Sequence, residues 1–355
     1  MKHSDREKQL TMATQPGIKD VAALCGVSVA TVSQILNGRR LDRYSDSTQR
    51  LVHESAARIG YKPNSFARGL RTQRSGVLGM VSNQIVTTPY AGKMVLGAQH
   101  AAQRDGFVLM VVNSEGHLDA EIRAIRSLLQ HQVDGVLYAA LVKQRVQVPD
   151  ILDRTITTVV HGNPSTTLHP SVVSDEQNGA RRAVLHLLDR GHRRIGFVTT
   201  TQDLVAADER LEGYREALAD SGIAFDPELV KARETSPTGG RSAGRALLER
   251  ADRPSAIFCF SDHMAMGVYQ AAANLNLRIP EDVSIVGFGD LELISLGLQP
   301  QLTTVAIPYF DMGVAAVQSV LGRIEESTAP GAVPARTISL SCDLVSRASV
   351  TAPNG

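Results

Sequence analysis

The stretch IKDVAALCGVSVATVSQILNG, residues 18–38, decides how the N-terminal part of the chain folds. Its apolar residues recur at helical spacing on both sides of Gly26, where a glycine supplies the backbone freedom of a tight turn. Ser28 is a suitable N-cap for the second helix, and Ala22 is small enough for two steeply crossing helices to come close. The inward-facing residues are expected to be Ile18, Val21, Leu24, Cys25, Val27, Val32, Ile35 and Leu36. This pattern predicts a helix-turn-helix, with a generic helical hairpin as the alternative.

Basic residues follow the helix-turn-helix, and a third helix is expected after it. The basic residues are Arg39, Arg40, Arg43 and Arg50. The helix is predicted to begin after the N-cap Ser45 and to run to about Gly60, with Val52, Ala56 and Ile59 facing inward. Residues 1–76 contain 13 Lys or Arg and 6 Asp or Glu, a formal charge of +7, whereas the remaining residues contain 24 and 30, or −6. This asymmetry indicates a polyanion partner for an all-α, three-helix headpiece.

The next segment, KPNSFARGLRTQR at residues 62–74, has the composition of a short basic helix. Asn64 is a suitable N-cap, and Ala67 and Leu70 stand at helical spacing. Two helical turns are not stable alone in water, and Gly69 lowers helix stability by a further ~1 kcal/mol relative to alanine. The segment is therefore expected to fold when it binds a partner, with a disordered basic linker as the alternative.

From residue 76 onward, apolar β-branched runs alternate with amphipathic helical stretches. Strands are predicted at residues 76–82, 107–113, 134–140, 156–161, 193–199, 256–260 and 282–288, and helices near 90–105, 180–190, 209–220, 241–250 and 263–274. This alternation predicts an α/β body of two doubly wound lobes with parallel sheets. Ligands of such folds bind beyond the carboxyl ends of the strands, so the cleft between the lobes is the expected binding site.

Composition and motifs restrict the class of protein. The 355 residues are 43% hydrophobic, 21% charged and 4% aromatic, which is typical of an ordinary globular protein. The three cysteines lack the spacing of a metal site, and the sequence has no nucleophile elbow, phosphate-binding loop, dinucleotide fingerprint or zinc-protease motif. We therefore expect no metal, no cofactor and no enzymatic activity. With no signal peptide and no apolar run long enough to span a membrane, a cytoplasmic protein is expected; Met12 is an alternative start.

The N-terminal motifs, IKDVAALCGVSVATVSQILNG followed by IGYKPNSFARGLRT, resemble the headpiece and hinge of the lactose and galactose repressor (LacI/GalR) family. The body is similar to that family's periplasmic-binding-protein-like body through DGVLYA, LLDRGHRRIGFV, RLEGYREAL, SDHMAMG, IPEDVSIVGFGD and LTTV. The polar composition of residues 1–16 predicts a flexible tail. The resemblance implies a helix-turn-helix domain at 17–62, a hinge at 63–75 and an effector-binding and dimerisation domain at 76–350. Lobe 1 is expected at about 76–174 and 306–333, and lobe 2 at about 175–305 and 334–350, with crossings near Ser174, Val305 and Pro334.

The same resemblance implies which residues bind DNA. Base edges in the major groove would meet Val29, Ala30 and Gln34, phosphates would meet Ser28, Thr31, Ser33 and Asn37, and the hinge would contribute Asn64, Ala67 and Leu70. Leu70 matches the leucine that wedges into the minor groove and kinks the duplex. Gln34 stands where relatives often carry arginine. Since glutamine pairs best with adenine and arginine with guanine, a different operator is expected.

For the effector, the resemblance implies a cleft lined by Pro89, Tyr90, His161, Arg210, Ser261, His263 and Asp290. The planar fork of Arg210 can hold two neighbouring hydroxyls or a carboxylate, although a surface salt bridge is the alternative role. Gly289 and His161 stand where relatives commonly carry aspartates. Because the aspartate that would precede Asp290 is missing, Asp290 is either a ligand contact or only a structural residue. Fewer carboxylates beside Arg210 slightly favour a sugar acid or sugar phosphate over a neutral sugar as the effector.

The sequence thus predicts a DNA-binding transcription regulator, a repressor by its resemblance, whose affinity for a pseudo-palindromic operator depends on a small sugar-like effector. A homodimer is expected because two headpieces read two half-sites. The tail SLSCDLVSRASVTAPNG, residues 339–355, lacks the leucine heptads of a tetramerisation helix. The alternatives are an enzyme, a solute-binding protein, which the helix-turn-helix argues against, and a regulator that binds a protein co-effector as well as, or instead of, a metabolite.

Overall fold

The computed structural model describes residues 16–36, 40–61, 74–82, 91–114, 116–326 and 335–354. The chain divides into two compact units, Met1–Ser75 and Gly76–Gly355. Within the described residues, no single helix combines the length and the apolar composition that crossing a membrane requires. One bent pair of described helices, Ile18–Cys25 and Val29–Leu36, meets that criterion jointly by length and composition.

Three helices form the first unit, namely α1 (Ile18–Cys25), α2 (Val29–Leu36) and α3 (Asp46–Arg58). Gly26 ends α1 with φ of +64°, a left-handed conformation that glycine adopts without steric cost. Ser28 Oγ accepts the Thr31 N–H at 3.0 Å at the start of α2, and Ser45 caps α3 in the same way. The predicted helix-turn-helix and its third helix are confirmed.

The core of the headpiece is small and apolar. Its fully buried side chains are Val21, Ala22, Val32, Ile35, Val52 and Ala56, with Ile59 packed against them at the margin. Leu24 was expected to face inward, but it is 44% exposed, so this prediction is wrong. The inward stripe of α1 follows the i, i+3, i+4, i+7 spacing of Ile18, Val21, Ala22 and Cys25, which leaves Leu24 on its flank.

The second unit contains twelve strands and eight helices of the α type among its described residues. In chain order they are β1 (Val77–Ser82), α4 (Ala91–Arg104), β2 (Val108–Asn113), α5 (Leu118–Gln130), β3 (Gly135–Val146), β4 (Thr157–Pro164), β5 (Ser171–Ser174), α6 (Glu176–Asp189), β6 (Ile195–Thr200), α7 (Val205–Asp220), β7 (Val230–Arg233), α8 (Pro237–Leu248), β8 (Ala256–Cys259), α9 (Asp262–Asn274), β9 (Ser284–Gly289), α10 (Glu292–Ser295), β10 (Thr303–Ala306), α11 (Tyr309–Glu326), β11 (Thr337–Leu340) and β12 (Asp343–Val345). Each predicted strand and helix of the body is present, with ends displaced by a few residues.

The strands form two six-stranded sheets, one in each lobe. The first sheet has the order β11-β5-β4-β3-β1-β2 and is parallel throughout. The second has the order β12-β10-β9-β8-β6-β7 and is parallel except for β12, which pairs with β10 in the antiparallel sense. The predicted fold class, an α/β body of two parallel-sheet lobes, is confirmed.

The chain passes between the lobes three times. Two crossings, after β5 at Ser174 and after β10 at Ala306, lie where the sequence indicated. The third was expected near Pro334, but β11 pairs in parallel with β5 and therefore still belongs to the first lobe. That crossing lies between Leu340 and Asp343, because β12 pairs with β10 of the second lobe. The pairing of β11 with β5 thus places this crossing after Leu340, later than Pro334.

Close helix packing brings the returning chain back onto the first lobe. Helix α11 packs on α4, and a Cβ at Gly97 of α4 would lie 2.0 Å from the carbonyl oxygen of Phe310. A side chain there would force the two helices apart, so glycine is required at this crossing. In the second lobe, the rings of Phe197 and Phe258 stack 4.9 Å apart and centre the core of that sheet.

Candidate functional site

Helix α2 presents one exposed face and one buried face. Val29 is 41% exposed and Ala30 is also exposed, whereas Val32 and Ile35 are at most 1% exposed. Gln34 is half-buried rather than fully exposed. The first turn of α2 thus offers an apolar, solvent-facing surface, with the Gln34 amide at its edge.

Hydroxyl groups cluster where α2 begins. Ser28 Oγ accepts the Thr31 N–H at 3.0 Å and lies 2.9 Å from Thr31 Oγ1, so both hydroxyls stand at the helix N-terminus. The N–H groups of a helix N-terminus favour a nearby anion, which suits a phosphate. Ser33 is half-buried on the same helix. The other predicted DNA contacts, Asn37, Asn64, Ala67 and Leu70, lie outside the described residues.

The turn that precedes α3 touches the expected reading face. The hydroxyl of Tyr44 donates a hydrogen bond to Gln34 Oε1 at 2.6 Å. Tyr44 is half-buried, and its ring packs against the headpiece core. Sequence reasoning missed this contact because the turn between α2 and α3 carries no periodic pattern from which a ring position could be inferred.

In the body, the first crossing between the lobes holds a buried polar cluster, which we call the crossover cluster: Lys143, His161, Ser174, Glu176 and Arg210. Ser174 Oγ donates to Glu176 Oε1 at 2.5 Å, and His161 Nε2 lies 3.1 Å from Ser174 Oγ and 3.5 Å from Glu176 Oε1. His161 Nδ1 lies 3.1 Å from the carbonyl oxygen of Leu141, so both ring nitrogens are engaged. The cluster ties β3, β4 and β5 of the first lobe to the start of α6.

Arg210 is almost completely enclosed. It is 3% exposed, and its Nε and Nη2 lie 2.8 and 2.7 Å from Glu176 Oε2. A further N–H donates to the carbonyl oxygen of Phe260, and the guanidinium lies 4.3 Å from the Phe260 ring and 3.7 Å from the Phe288 ring. Arg210 therefore forms the salt bridge of the alternative interpretation, but the pair is buried and does not lie on the surface, since the partner carboxylate is itself 0% exposed.

The buried ion pair controls the charge of Glu176. Burial alone would raise the pKa of this carboxyl, but the Arg210 charge and the hydrogen bonds from His161 and Ser174 lower it to about 2. Glu176 therefore stays ionised under all physiological conditions. Its negative charge neutralises Arg210 inside the protein.

A second ion pair spans the two lobes beside the first. Lys143 of β3 donates to Glu209 Oε2 at 2.6 Å and to the carbonyl oxygen of Ser174 at 3.0 Å. The side chain of Lys143 is 7% exposed and that of Glu209 is 27% exposed. Burial raises the pKa of Glu209 despite the opposing effect of the Lys143 hydrogen bond. Both cations of this region therefore have a carboxylate partner.

The predicted contacts of the second lobe lie at the carboxyl ends of β8 and β9. Ser261 Oγ accepts the Met264 N–H at 3.3 Å and caps α9, directly after the Phe260 carbonyl that Arg210 binds. Asp290 follows β9 with φ of +50°. Its Oδ1 accepts from Arg347 at 2.7 Å and from Ser295 Oγ at 2.9 Å, which supports the structural alternative for this residue.

Two titratable residues stand next to these contacts. Burial raises the pKa of Asp262 to about 6, although Thr304 and the Leu291 N–H donate to its oxygens. Burial also lowers the pKa of His263, which is half-buried at the start of α9. Pro89 and Tyr90, the predicted contacts of the first lobe besides His161, lie outside the described residues.

A small cavity of about 50 Å³ lies at the carboxyl ends of β1 and β3. Its polar lining includes Ser82, Glu121 and Tyr138, and the Tyr138 hydroxyl donates to Glu121 Oε1 at 2.6 Å. Such a volume holds one or two water molecules. None of the described residues predicted to contact the effector is among those that line this cavity.

Within the described part of the chain, no group of three or more His, Cys, Asp or Glu side chains could hold a metal ion. The three cysteines are free thiols. Cys259 and Cys342 are buried, and burial raises the pKa of both thiols, whereas Cys25 is half-buried. Their environment is that of packing residues.

Sequence reasoning did not select four residues that the structure places at the crossover cluster, Lys143, Ser174, Glu176 and Glu209, nor Tyr44 in the headpiece. A signal existed for Glu176, because SDE at residues 174–176 places two carboxyls at a helix start, where acidic residues commonly serve as caps. That common role concealed its pairing with Arg210, which lies 34 residues later. His161 and Arg210, both selected from the sequence, meet through this carboxylate.

Two parts of the chain match known protein families. Residues 17–64 match "Bacterial regulatory proteins, lacI family", and residues 184–350 match "Periplasmic binding protein-like domain". The HTH-type transcriptional regulator GalR of Escherichia coli (strain K12) is 32% identical over 346 residues, which cover 95% of this chain and 96% of GalR. The similarity extends over both units.

Solved structures of similar architecture also cover nearly the whole chain. A complex of the transcriptional regulator CelR with cellobiose is 30% identical, with a TM-score of 0.67 over 94% of this chain and 99% of that chain. The lac repressor dimer bound to operator and the anti-inducer ONPF has a TM-score of 0.73 over 96% of this chain and 100% of that chain. Its 23% identity makes that likeness one of fold alone.

Proposed function

The chain belongs to the lacI family of bacterial regulatory proteins and is a DNA-binding transcriptional repressor that responds to a small molecule, not an enzyme; from this premise we propose how it reads DNA and which effector it binds. Val29, Ala30 and Gln34 of α2 contact base edges in the major groove. The observation that carries this assignment is the division of α2 into an exposed face with Val29 and a buried face with Val32 and Ile35. A recognition helix needs such a free face in order to enter the groove.

The remaining headpiece contacts in this proposal are made to phosphates. Ser28 and Thr31 stand at the N-terminus of α2, where hydroxyls and backbone N–H groups favour an anion. Ser33 and Asn37 extend the phosphate contacts along the helix, and Asn64, Ala67 and Leu70 form the hinge contacts in the minor groove. The headpiece charge of +7 over residues 1–76 supplies the attraction to DNA.

Selection of duplexes from a random pool by the full-length chain tests this reading. The selected operator should contain two symmetric half-sites, because two headpieces bind together. Gln34→Ala should abolish base preference at one position of each half-site and leave the other positions unchanged. An unchanged preference at every position would contradict base reading by Gln34.

The effector in this proposal is a neutral carbohydrate held between the lobes. Arg210 is neutralised by Glu176 and Lys143 by Glu209, so the crossover cluster offers no unpaired cation to a carboxylate or phosphate. An anionic ligand would have to displace a buried carboxylate, whereas sugar hydroxyls can use donors and acceptors together. These ion pairs reverse the slight preference for an anionic effector that the sequence suggested. CelR, a relative solved with cellobiose, is consistent with a neutral sugar.

Ser261 and His263 are the described residues that we assign to direct effector contact, together with Pro89 and Tyr90 of the first lobe. His161, Arg210 and Asp290 are each within hydrogen-bonding distance of other side chains, and Arg210 and Asp290 form ion pairs, so we assign them the role of shaping the cleft; Ser261 Oγ accepts only a backbone N–H and keeps its own O–H as a donor. A thermal-shift screen of neutral sugars, sugar acids and sugar phosphates tests the class of effector. Stabilisation by a neutral sugar is expected, and a response confined to the acids or phosphates would contradict the proposal.

A homodimer completes the proposal. Exposed apolar residues lie on the outer elements of the body: Leu96, Val108 and Leu118 in the first lobe and Leu293 and Leu296 in the second. The strand β2 is an edge strand, and the ion pair Lys93–Glu292 at 2.7 Å joins the helices that carry Leu96 and Leu293. Exposed apolar residues and an edge strand are features of association surfaces, which supports a dimer.

Light scattering after size exclusion tests the dimer. The full-length chain should have twice the chain mass at micromolar concentration, and Leu96→Glu should shift it toward the monomer. A monomeric wild-type chain would refute this part of the proposal. A regulator of this kind acts where the chromosome is, so we place the protein in the cytoplasm.

A further inference from the structure

Tyr44, which lies outside the recognition helix, forms a side-chain hydrogen bond with Gln34 on the expected reading face. Its hydroxyl donates to Gln34 Oε1 at 2.6 Å. On the premise of the proposed function, in which Gln34 reads a base edge, we propose that Tyr44 is a positioning residue that determines which end of the Gln34 amide faces DNA. Base specificity would then depend on a residue outside the recognition helix.

The Tyr44 hydroxyl is held in place by the turn and by α3. The Tyr44 N–H donates to the carbonyl oxygen of Leu41 at 3.0 Å. Gln49 of α3 donates through Nε2 to the carbonyl oxygens of Leu41 and Tyr44, both at 3.0 Å. The Tyr44 ring packs against the headpiece core. Since its ring and backbone are both anchored, Tyr44 presents its hydroxyl from a fixed point.

The amide of Gln34 has two chemically different ends. Its oxygen accepts hydrogen bonds and its NH₂ group donates them, so rotation by half a turn inverts what the side chain presents. The Tyr44 hydroxyl donates its proton to Oε1. In the inverted amide, the NH₂ group would have to donate to the phenol oxygen of Tyr44, and a phenol accepts a hydrogen bond more weakly than it donates one. Tyr44 therefore favours the orientation that places Oε1 toward the turn and Nε2 away from it.

This orientation favours one kind of base edge. An amide oxygen has two acceptor sites, and Tyr44 occupies one of them, so the second can still accept from the N6 amine of adenine while Nε2 donates to N7. A freely rotating glutamine would present either end and would also lose more side-chain freedom when it binds. Tyr44 should therefore increase both the preference for adenine over the other bases and the affinity for the duplex that carries adenine.

The test compares four full-length chains: wild type, Tyr44→Phe, Gln34→Ala and the double variant. The probe is the operator duplex selected by the wild type, synthesised with each of the four bases at the position whose preference Gln34→Ala abolishes. Fluorescence anisotropy gives the affinity for each duplex. Tyr44→Phe removes the hydroxyl and keeps the ring that packs in the core. We expect the preference for adenine over the other bases to fall ~5-fold, the typical effect of one hydrogen bond.

In the double variant, the hydroxyl deletion should have no further effect, because the side chain on which it acts is gone. Tyr61→Phe deletes another hydroxyl from the same hydrophobic cluster and serves as the matched control. It should leave base preference unchanged. Thermal melting should show that all headpieces remain folded.

Each other result has a distinct meaning. If Gln34→Ala abolishes the base preference at one position while Tyr44→Phe leaves that preference intact, the positioning role is overturned and base reading by Gln34 stands. If the effect of Tyr44→Phe persists in the Gln34→Ala background, Tyr44 contacts DNA itself and the positioning role is again overturned. If Gln34→Ala changes no position, the proposed reading by Gln34 fails first.

Discussion

Glu176→Gln should destabilise the body strongly, because Glu176 is the carboxylate that neutralises Arg210 in the crossover cluster. Arg210 and Glu176 are 3% and 0% exposed, and two guanidinium nitrogens lie within 2.8 Å of Glu176 Oε2. Breaking a buried pair by removing one partner costs about 3–5 kcal/mol, because the remaining charge stays buried. The pKa of Glu176, lowered from 4.5 to about 2, corresponds to a cost of the same order, roughly 3 kcal/mol. Glutamine still accepts a hydrogen bond, so the lower end of the range, about 3 kcal/mol, is expected.

The assay is urea unfolding of the full-length chain followed by far-UV circular dichroism, since the sequence has no tryptophan. The matched control is Asp220→Asn, which breaks the exposed pair Arg181–Asp220, whose N···O distance is also 2.7 Å. Its side chains are 38% and 52% exposed, so its loss should cost about 0–1 kcal/mol. If Glu176→Gln cost no more than Asp220→Asn, the burial argument would be refuted.

Three further predictions concern the Glu176 carboxyl, the Gln34 side chain and the Leu70 side chain. The unfolding free energy of the wild type should fall as pH decreases from about 4.5 to about 2. The pKa of Glu176 is lower in the folded state than in the unfolded state, so its contribution to stability is fully present above the unfolded-state pKa and is lost as pH falls through the folded-state pKa. In acid-unfolding curves, Glu176→Gln should weaken this dependence on pH. Gln34→Arg should shift the preferred base at one position of each half-site from adenine toward guanine, and selection from random duplexes showing no shift would contradict it. Leu70→Ala should reduce DNA bending and affinity, measured by energy transfer between labelled duplex ends, and unchanged bending would disprove the wedge.

The fold was predictable because periodicity and caps act locally. Ser28 and Ser45 cap the helices that the spacing indicated, and Gly26 adopts the left-handed conformation expected of it. The prediction for Leu24 was wrong because spacing alone does not decide which of two neighbouring apolar stripes of a helix faces the core. The crossing expected near Pro334 failed because the pairing of β11 with β5 joins strands more than 160 residues apart, and no local pattern reports it.

The sites were predictable only in part. The resemblance to a family selected His161 and Arg210, and the structure joins them through Glu176. Their partners arise from tertiary contacts, since Glu176 is 34 residues from Arg210 and Lys143 is 66 residues from Glu209. Charge pairing of this kind determines whether a cleft is cationic, and counting arginines and histidines along the chain does not reveal it.

The central claim is that a neutral carbohydrate in the cleft controls how tightly this repressor binds its operator. The most direct test is the anisotropy of the selected operator duplex titrated with full-length protein, with and without a neutral sugar that stabilises the protein in the thermal-shift screen. We predict that the sugar changes operator affinity by ~10-fold or more, as expected for coupling between two sites. Unchanged affinity with every stabilising neutral sugar, together with a response to a sugar phosphate or to a protein partner, would contradict the account.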